Sequence, residues 1–161
     1  MTALRPIGFL RARNAGFGLF LQPNYRQSGV FRMHEIQLRR PWKRFSGSDQ
    51  QPLVVDVPDA EHRPELSNAA NDRVSYQRGF NSPTGLKGTE SIGLCISAWQ
   101  GTLESVRVND TLFSPAVAPL KVDLSTILRR FNQIEIILTT EFAEVPRLTG
   151  EVVLTIQEGS R

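Results

Sequence analysis

Residues 90–138 read ESIGLCISAWQGTLESVRVNDTLFSPAVAPLKVDLSTILRRFNQIEIIL. Ile92, Leu94, Ile96 and Ala98 alternate with smaller or more polar residues, as in a strand that buries one face. Gln100-Gly101 breaks the run, and Val106 and Val108 then alternate with Ser105, Arg107 and Asn109. Asn109-Asp110 is a turn pair, because these short side chains tolerate the left-handed conformation. Leu120 and Val122 mark a brief strand. Asp123-Leu124-Ser125 opens a single helical turn, with Asp123 or Ser125 as its N-cap and Asn132 as the left-handed residue that ends it. Ile134, Ile136 and Leu138 close the stretch with the cleanest alternation in the chain.

Outward from this stretch the same period continues. Val74, Tyr76 and Arg78 share one strand face with Ser75 and Gln77 opposite, and Phe80 begins the next core layer. Residues 81–85, Asn-Ser-Pro-Thr-Gly, form a turn. Residues 34–40 form a first strand with Ile36 and Leu38 on its inner face, ended by Pro41-Trp42. A turn-rich loop over 46–52 leads to a strand at Leu53–Val57, closed by Pro58. Residues 58–72 are polar, with one helical turn expected near 65–70. A connection over 139–149 leads to a last strand at 151–156, with Val152, Leu154 and Ile156 inward. Eight or nine short strands with turn signals between them describe an all-β sandwich.

Several of these residues carry a resemblance. Val106-Arg107-Val108-Asn109-Asp110, then Pro119 to Leu128, then Asn132-Gln133-Ile134-Glu135-Ile136 follow one another in order. Tyr76-Gln77-Arg78-Gly79-Phe80 precedes them. The set resembles the sugar-binding, galactose-binding-like β-sandwich domain of family two glycoside hydrolases such as β-galactosidases. It covers roughly residues 73–140. The resemblance implies a jelly-roll sandwich. Its motif residues are turn formers, caps and core, so they encode a fold rather than a chemistry. Asp110 stands where that family usually has glycine, a substitution that positive φ permits. Ile36 to Trp42 is similar to the first strand of stand-alone bacterial proteins with this sandwich.

Composition narrows the function classes. The chain has 161 residues, 40% hydrophobic and 22% charged, as expected of one soluble globular domain. No apolar run approaches the ~20 residues of a membrane-spanning helix. The single cysteine, Cys95, forms no intrachain disulfide and reads as a small residue in or beside the core. Its solitude suits a reducing cytoplasm, the expected location. The net charge of +3 arises from residues 1–32, which hold five arginines and no acid; from 33 onward 14 basic residues face 16 acidic ones, net −2. That leader lacks strand or helix period and an uninterrupted secretory apolar core. Met33 is therefore expected to be the true start, with a mobile basic arm as the alternative. Arg39, Arg40, Lys43 and Arg44 form the one basic cluster of the domain and read as a solvated strand end, not a nucleic-acid face.

No catalytic motif emerges. Sixteen acids guarantee pairs by chance, so a glycosidase carboxylate pair cannot be singled out. In the resembled family the catalytic carboxylates lie on a separate barrel domain, so the resemblance carries no activity; an active glycoside hydrolase is the third reading. His34 and His62 accompany no G-x-S-x-G elbow, and no phosphate-binding glycine loop precedes a helix pattern. Asp59, Glu61, His62 and Glu65 form the most ligand-like cluster, yet their spacing matches no zinc motif and reads as solvated charge. No metal, cofactor, membrane or nucleic acid is expected. Two non-catalytic readings remain. In the first, the sandwich binds carbohydrate through Trp99, Arg78, Asn109 and Asp110, an aromatic platform beside polar groups. In the second, it is a protein-interaction module acting through edge strands and exposed aromatics. Trp42 is read as core closure rather than as a sugar platform.

Overall fold

The computed structural model describes residues 33–47, 51–60, 73–86, 88–114, 117–140 and 145–158. The alternation at 90–138 becomes β5 (Glu90–Ile96), β6 (Thr102–Val108), β7 (Thr111–Phe113), β8 (Leu120–Asp123) and β9 (Phe131–Thr139). Before them run β1 (Met33–Gln37), β2 (Trp42–Ser46), β3 (Leu53–Val55) and β4 (Arg73–Asn81); β10 (Val152–Glu158) follows. All strand pairs are antiparallel. One sheet has the order β1-β10-β5-β8, the other β3-β2-β4-β9-β6-β7. The core lies between them. Tyr76, Val106, Ile134, Ile136 and Leu138 come from the six-stranded sheet, and Leu94, Ile96, Val152 and Leu154 from the other. The expected all-β sandwich is the observed architecture. Among the described residues no helix is long and apolar enough to cross a membrane.

Several expectations change. The first strand is β1, shorter than 34–40; all five of its residues are exposed at a sheet edge, Ile36 included, and Leu38 is buried just beyond it. Pro41-Trp42 does not end the strand region, because Trp42 begins β2. Phe80 lies on β4 itself, in phase with Val74 and Tyr76. β7 completes a hairpin with β6 around Asn109, whose φ of 54° is left-handed as expected. Asn132 does not adopt that conformation; it is buried on β9. It ends the preceding turn with its side chain, accepting from Arg129 N at 2.8 Å and donating to Arg129 O at 2.7 Å. Asp123 is the cap: its Oδ1 accepts from Ser125 Oγ at 2.6 Å and from Ser125 N at 2.8 Å, and these bonds hold its carboxyl below the usual range. Cys95 is half-buried on β5.

The largest correction concerns charge. Arg44 and Asp59 were both expected in solvent, yet each side chain is 1% exposed and they pair at 3.2 Å. The Tyr76 hydroxyl donates to the same Asp59 oxygen at 2.6 Å. Burial pushes the Tyr76 phenol far above its ordinary pKa, against the opposing pull of Arg44. Beside this group Trp42, fully buried, donates its Nε1–H to Leu38 O at 2.6 Å. Trp42 is core closure, as read. Glu61, His62 and Glu65 of the ligand-like cluster lie outside the described residues; Asp59 is committed to Arg44 and Tyr76.

Val106→Asp places an unpaired charge in a fully buried site and is expected to cost more than about 4 kcal/mol, unfolding the domain; an unchanged thermal midpoint would show the β6 register to be wrong. Asp59→Ala strands Arg44 in the core and is expected to cost about 3–5 kcal/mol in urea denaturation. The triple change Arg44→Met, Asp59→Leu, Tyr76→Phe is expected to recover most of that loss, since a buried ion pair contributes little net stability over well-packed apolar groups.

Candidate functional site

The outer face of the six-stranded sheet holds the candidate site. Residues paired across neighbouring strands share a face. The pairing places Val54, Lys43, Gln77, Glu135, Arg107 and Leu112 in one row across all six strands. Their chain neighbours Trp42, Arg44, Tyr76, Ile134, Ile136, Val106 and Val108 point into the core, so this row faces outward. Next along the strands, Gly79 lies opposite Gln133. Asn109 then joins this level through two bonds to the Gln133 backbone, its N–H donating to Gln133 O at 2.9 Å and its side-chain Oδ1 accepting from Gln133 N at 3.1 Å.

Gly79 gives this face its depth. The Phe131 ring lies across it, and a Cβ at position 79 would stand 2.5 Å from Phe131 Cζ. The ring is a diagonal neighbour filling the space that the missing side chain leaves. It nevertheless remains 56% exposed. The result is an open groove of about 520 Å³, within the range of small-molecule sites. Phe131 and Gly79 form one end, Gln77, Gln133 and Glu135 the floor, and Lys43 and Arg107 the flanks.

The polar groups of the groove are only partly committed. Glu135 Oε1 accepts from Gln77 Nε2 at 3.0 Å and from Ser75 Oγ at 3.4 Å. Among the described residues, Lys43 and Arg107 have no ion pair and the Gln133 side chain makes no hydrogen bond. Arg78 borders the groove from the inner phase of β4, its Cζ 5.8 Å from the Trp42 ring centroid. Its buried Nε and Nη1 have no hydrogen-bond partner among the described residues, and burial lowers its pKa.

The four residues expected to hold a ligand separate. Arg78 and Asn109 line the groove; Trp99 and Asp110 do not. The Asn109 amide is engaged within the fold, donating to Ile127 O and to Asn132 Oδ1, both at 3.0 Å. Asp110 forms an exposed ion pair with Arg129 at 2.5 Å. Trp99 is half-buried against the core, just before β6, whereas Asn109 directly follows it. The two therefore lie at opposite ends of that strand. Phe131, Gln77, Gln133, Glu135, Lys43 and Arg107 escaped the sequence reading, which followed the buried phase of each strand. The available signal was Phe131: an aromatic residue at an odd position of β9, where the even positions face the core. Among the described residues no three His, Cys, Asp or Glu side chains gather to hold a metal ion.

No family profile matches this chain, and no curated protein matches it. Solved structures do. The β-glucuronidase of Bifidobacterium dentium, complexed with coumarin-3-O-glucuronide, superimposes with a TM-score of 0.63 at 16% identity, over 83% of this chain and 31% of that one. The β-D-glucuronidase of Dictyoglomus thermophilum gives 0.58 at 19% identity, over 78% and 28%. The Faecalibacterium prausnitzii β-glucuronidase gives 0.60 at 14% identity, over 78% and 32%. The chain thus spans less than a third of each of these enzymes. At these identities the likeness is one of fold, and at that level it bears out the resemblance of residues 73–140 to the β-sandwich domain of family two glycoside hydrolases.

Proposed function

We propose that this chain is a non-catalytic carbohydrate-binding β-sandwich and that the groove on its six-stranded sheet holds the sugar. The observation that carries this reading is the exposed Phe131 ring lying over Gly79 beside the open amide of Gln133 and the flanks Lys43 and Arg107. A pyranose ring has an apolar face that stacks on an aromatic side chain and a rim of hydroxyls that needs donors and acceptors. The groove offers both within one cavity. The fold likeness to carbohydrate-active enzymes supports the same substrate class. Among the described residues Glu135 is the one carboxylate lining the groove, whereas glycoside hydrolysis by the usual route needs two flanking the scissile bond.

One observation favours protein interaction as the second reading. β1 is an edge strand with every residue exposed, and Met33 and Ile36 are its large apolar groups. Such an edge can extend its ladder with another strand. The two readings predict different sensitive residues.

Glycan-array screening followed by calorimetric titration is expected to reveal saturable binding. Phe131→Ala should weaken it about tenfold or more while lowering the thermal midpoint only slightly, because the ring packs over Gly79 but is more than half exposed. Trp99→Ala should lower the midpoint and leave the affinity in place. Binding lost in Trp99→Ala but kept in Phe131→Ala would move the site to the other end of β6. An absence of glycan binding, with self-association abolished by Ile36→Lys, would favour the interaction module.

A further inference from the structure

We infer that the groove selects acidic sugars: its occupant is an oligosaccharide whose carboxylates reach Lys43 on one flank and Arg107 on the other. This inference rests on the carbohydrate reading above and adds a substrate class to it. Its basis is a local reversal of charge. Residues 33–161 carry a net −2, yet the groove is lined by Lys43, Arg78 and Arg107 against the single carboxylate of Glu135.

The two flanking cations are free to act. Elsewhere on the surface Arg40 pairs with Asp56, Arg73 with Glu104 and Arg129 with Asp110, while Arg39, Lys121 and Arg130 have no ion pair among the described residues and lie outside the groove. Lys43 and Arg107 have no such partner among the described residues, although Arg107 stands directly across from Glu135 in the ladder. One Glu135 oxygen is already held by Gln77 and Ser75. An unpaired guanidinium is suited to bidentate capture of a carboxylate.

Spacing favours a ligand longer than one sugar. Lys43 and Arg107 lie in one row with β4 and β9 between them, three strand spacings or about 14 Å apart. A single uronic acid offers one carboxylate for two cations, whereas a short chain of uronic acids presents carboxylates along its length and can engage both flanks. Phe131 then distinguishes a sugar from a mere polyanion, because its exposed ring needs an apolar face to cover it.

The test is calorimetric titration of the full chain with trigalacturonic acid, neutral galactotriose and an oligoglutamate peptide, at low and physiological salt. The acidic trisaccharide is expected to bind about tenfold tighter than the neutral one at low salt, with the advantage shrinking as salt is added. Lys43→Met/Arg107→Met should bring the acidic trisaccharide down to the affinity of the neutral one. Both side chains are exposed, so an unchanged thermal midpoint would exclude misfolding as the cause. Equal affinity for the two trisaccharides, unaffected by the double variant, would overturn the acidic preference and leave the carbohydrate reading standing. Binding of neither trisaccharide would overturn both. Oligoglutamate bound as tightly as trigalacturonate would show that the groove reads charge alone, and would also overturn the proposal.

Discussion

The buried contact among Arg44, Asp59 and Tyr76 sets the phase of the sheet on which the candidate site is built. Two charged side chains, each 1% exposed, meet a phenol hydroxyl inside the sandwich. Removing both charges from water offsets most of what their attraction contributes, so the contact is a specifier more than a stabiliser. What it specifies is register. With Arg44 inward, Lys43 must face outward, and the pairing then aligns Lys43 with Gln77, Glu135 and Arg107. A slip of one residue in β2 would bury Lys43 without a partner and expose Trp42. The charge at one flank of the groove is thus fixed by a contact on the opposite side of the sheet.

The other flank depends on a second polar network. Asn109 and Asn132 bond to each other and to the backbone at Ile127, Arg129 and Gln133. These bonds tie the β6–β7 hairpin to the start of β9. They place Arg107, two positions before Asn109, and Phe131, one position before Asn132, on the same outer face. Gly79 supplies the remaining condition. A larger residue would displace the ring that lies over it. Groove depth, aromatic position and cation spacing therefore trace to a few named residues rather than to the sandwich as a whole.

Much of the fold was legible because alternation reports burial directly. Ile92, Leu94 and Ile96, or Ile134, Ile136 and Leu138, read as strands and are strands. β2 was not legible because its inner face carries Arg44. A buried charge inverts the pattern on which strand reading relies, and its partner Asp59 lies 15 residues away. β7 has three residues, too few to show a period. Asn132 was correctly associated with ending a turn, but the means is side-chain hydrogen bonding, which no local pattern distinguishes from left-handed backbone. The groove itself was hidden for a different reason. Its residues come from five strands and belong mostly to the outward phase of each, where sequence shows only ordinary surface. Arg78 and Asn109 were named from a motif; Phe131, the ring on which the reading turns, lay just ahead of that motif.

The central claim is that the outer face of the six-stranded sheet is where a sugar sits. Backbone amide shifts followed by NMR, with the chain titrated by an acidic oligosaccharide such as trigalacturonic acid, test it most directly. The account predicts the largest changes at Gln77, Gly79, Arg107, Phe131 and Gln133, with Ser97 to Gly101 and β1 undisturbed. Changes centred instead on Trp99 and its neighbours, or along Met33–Gln37, would contradict it.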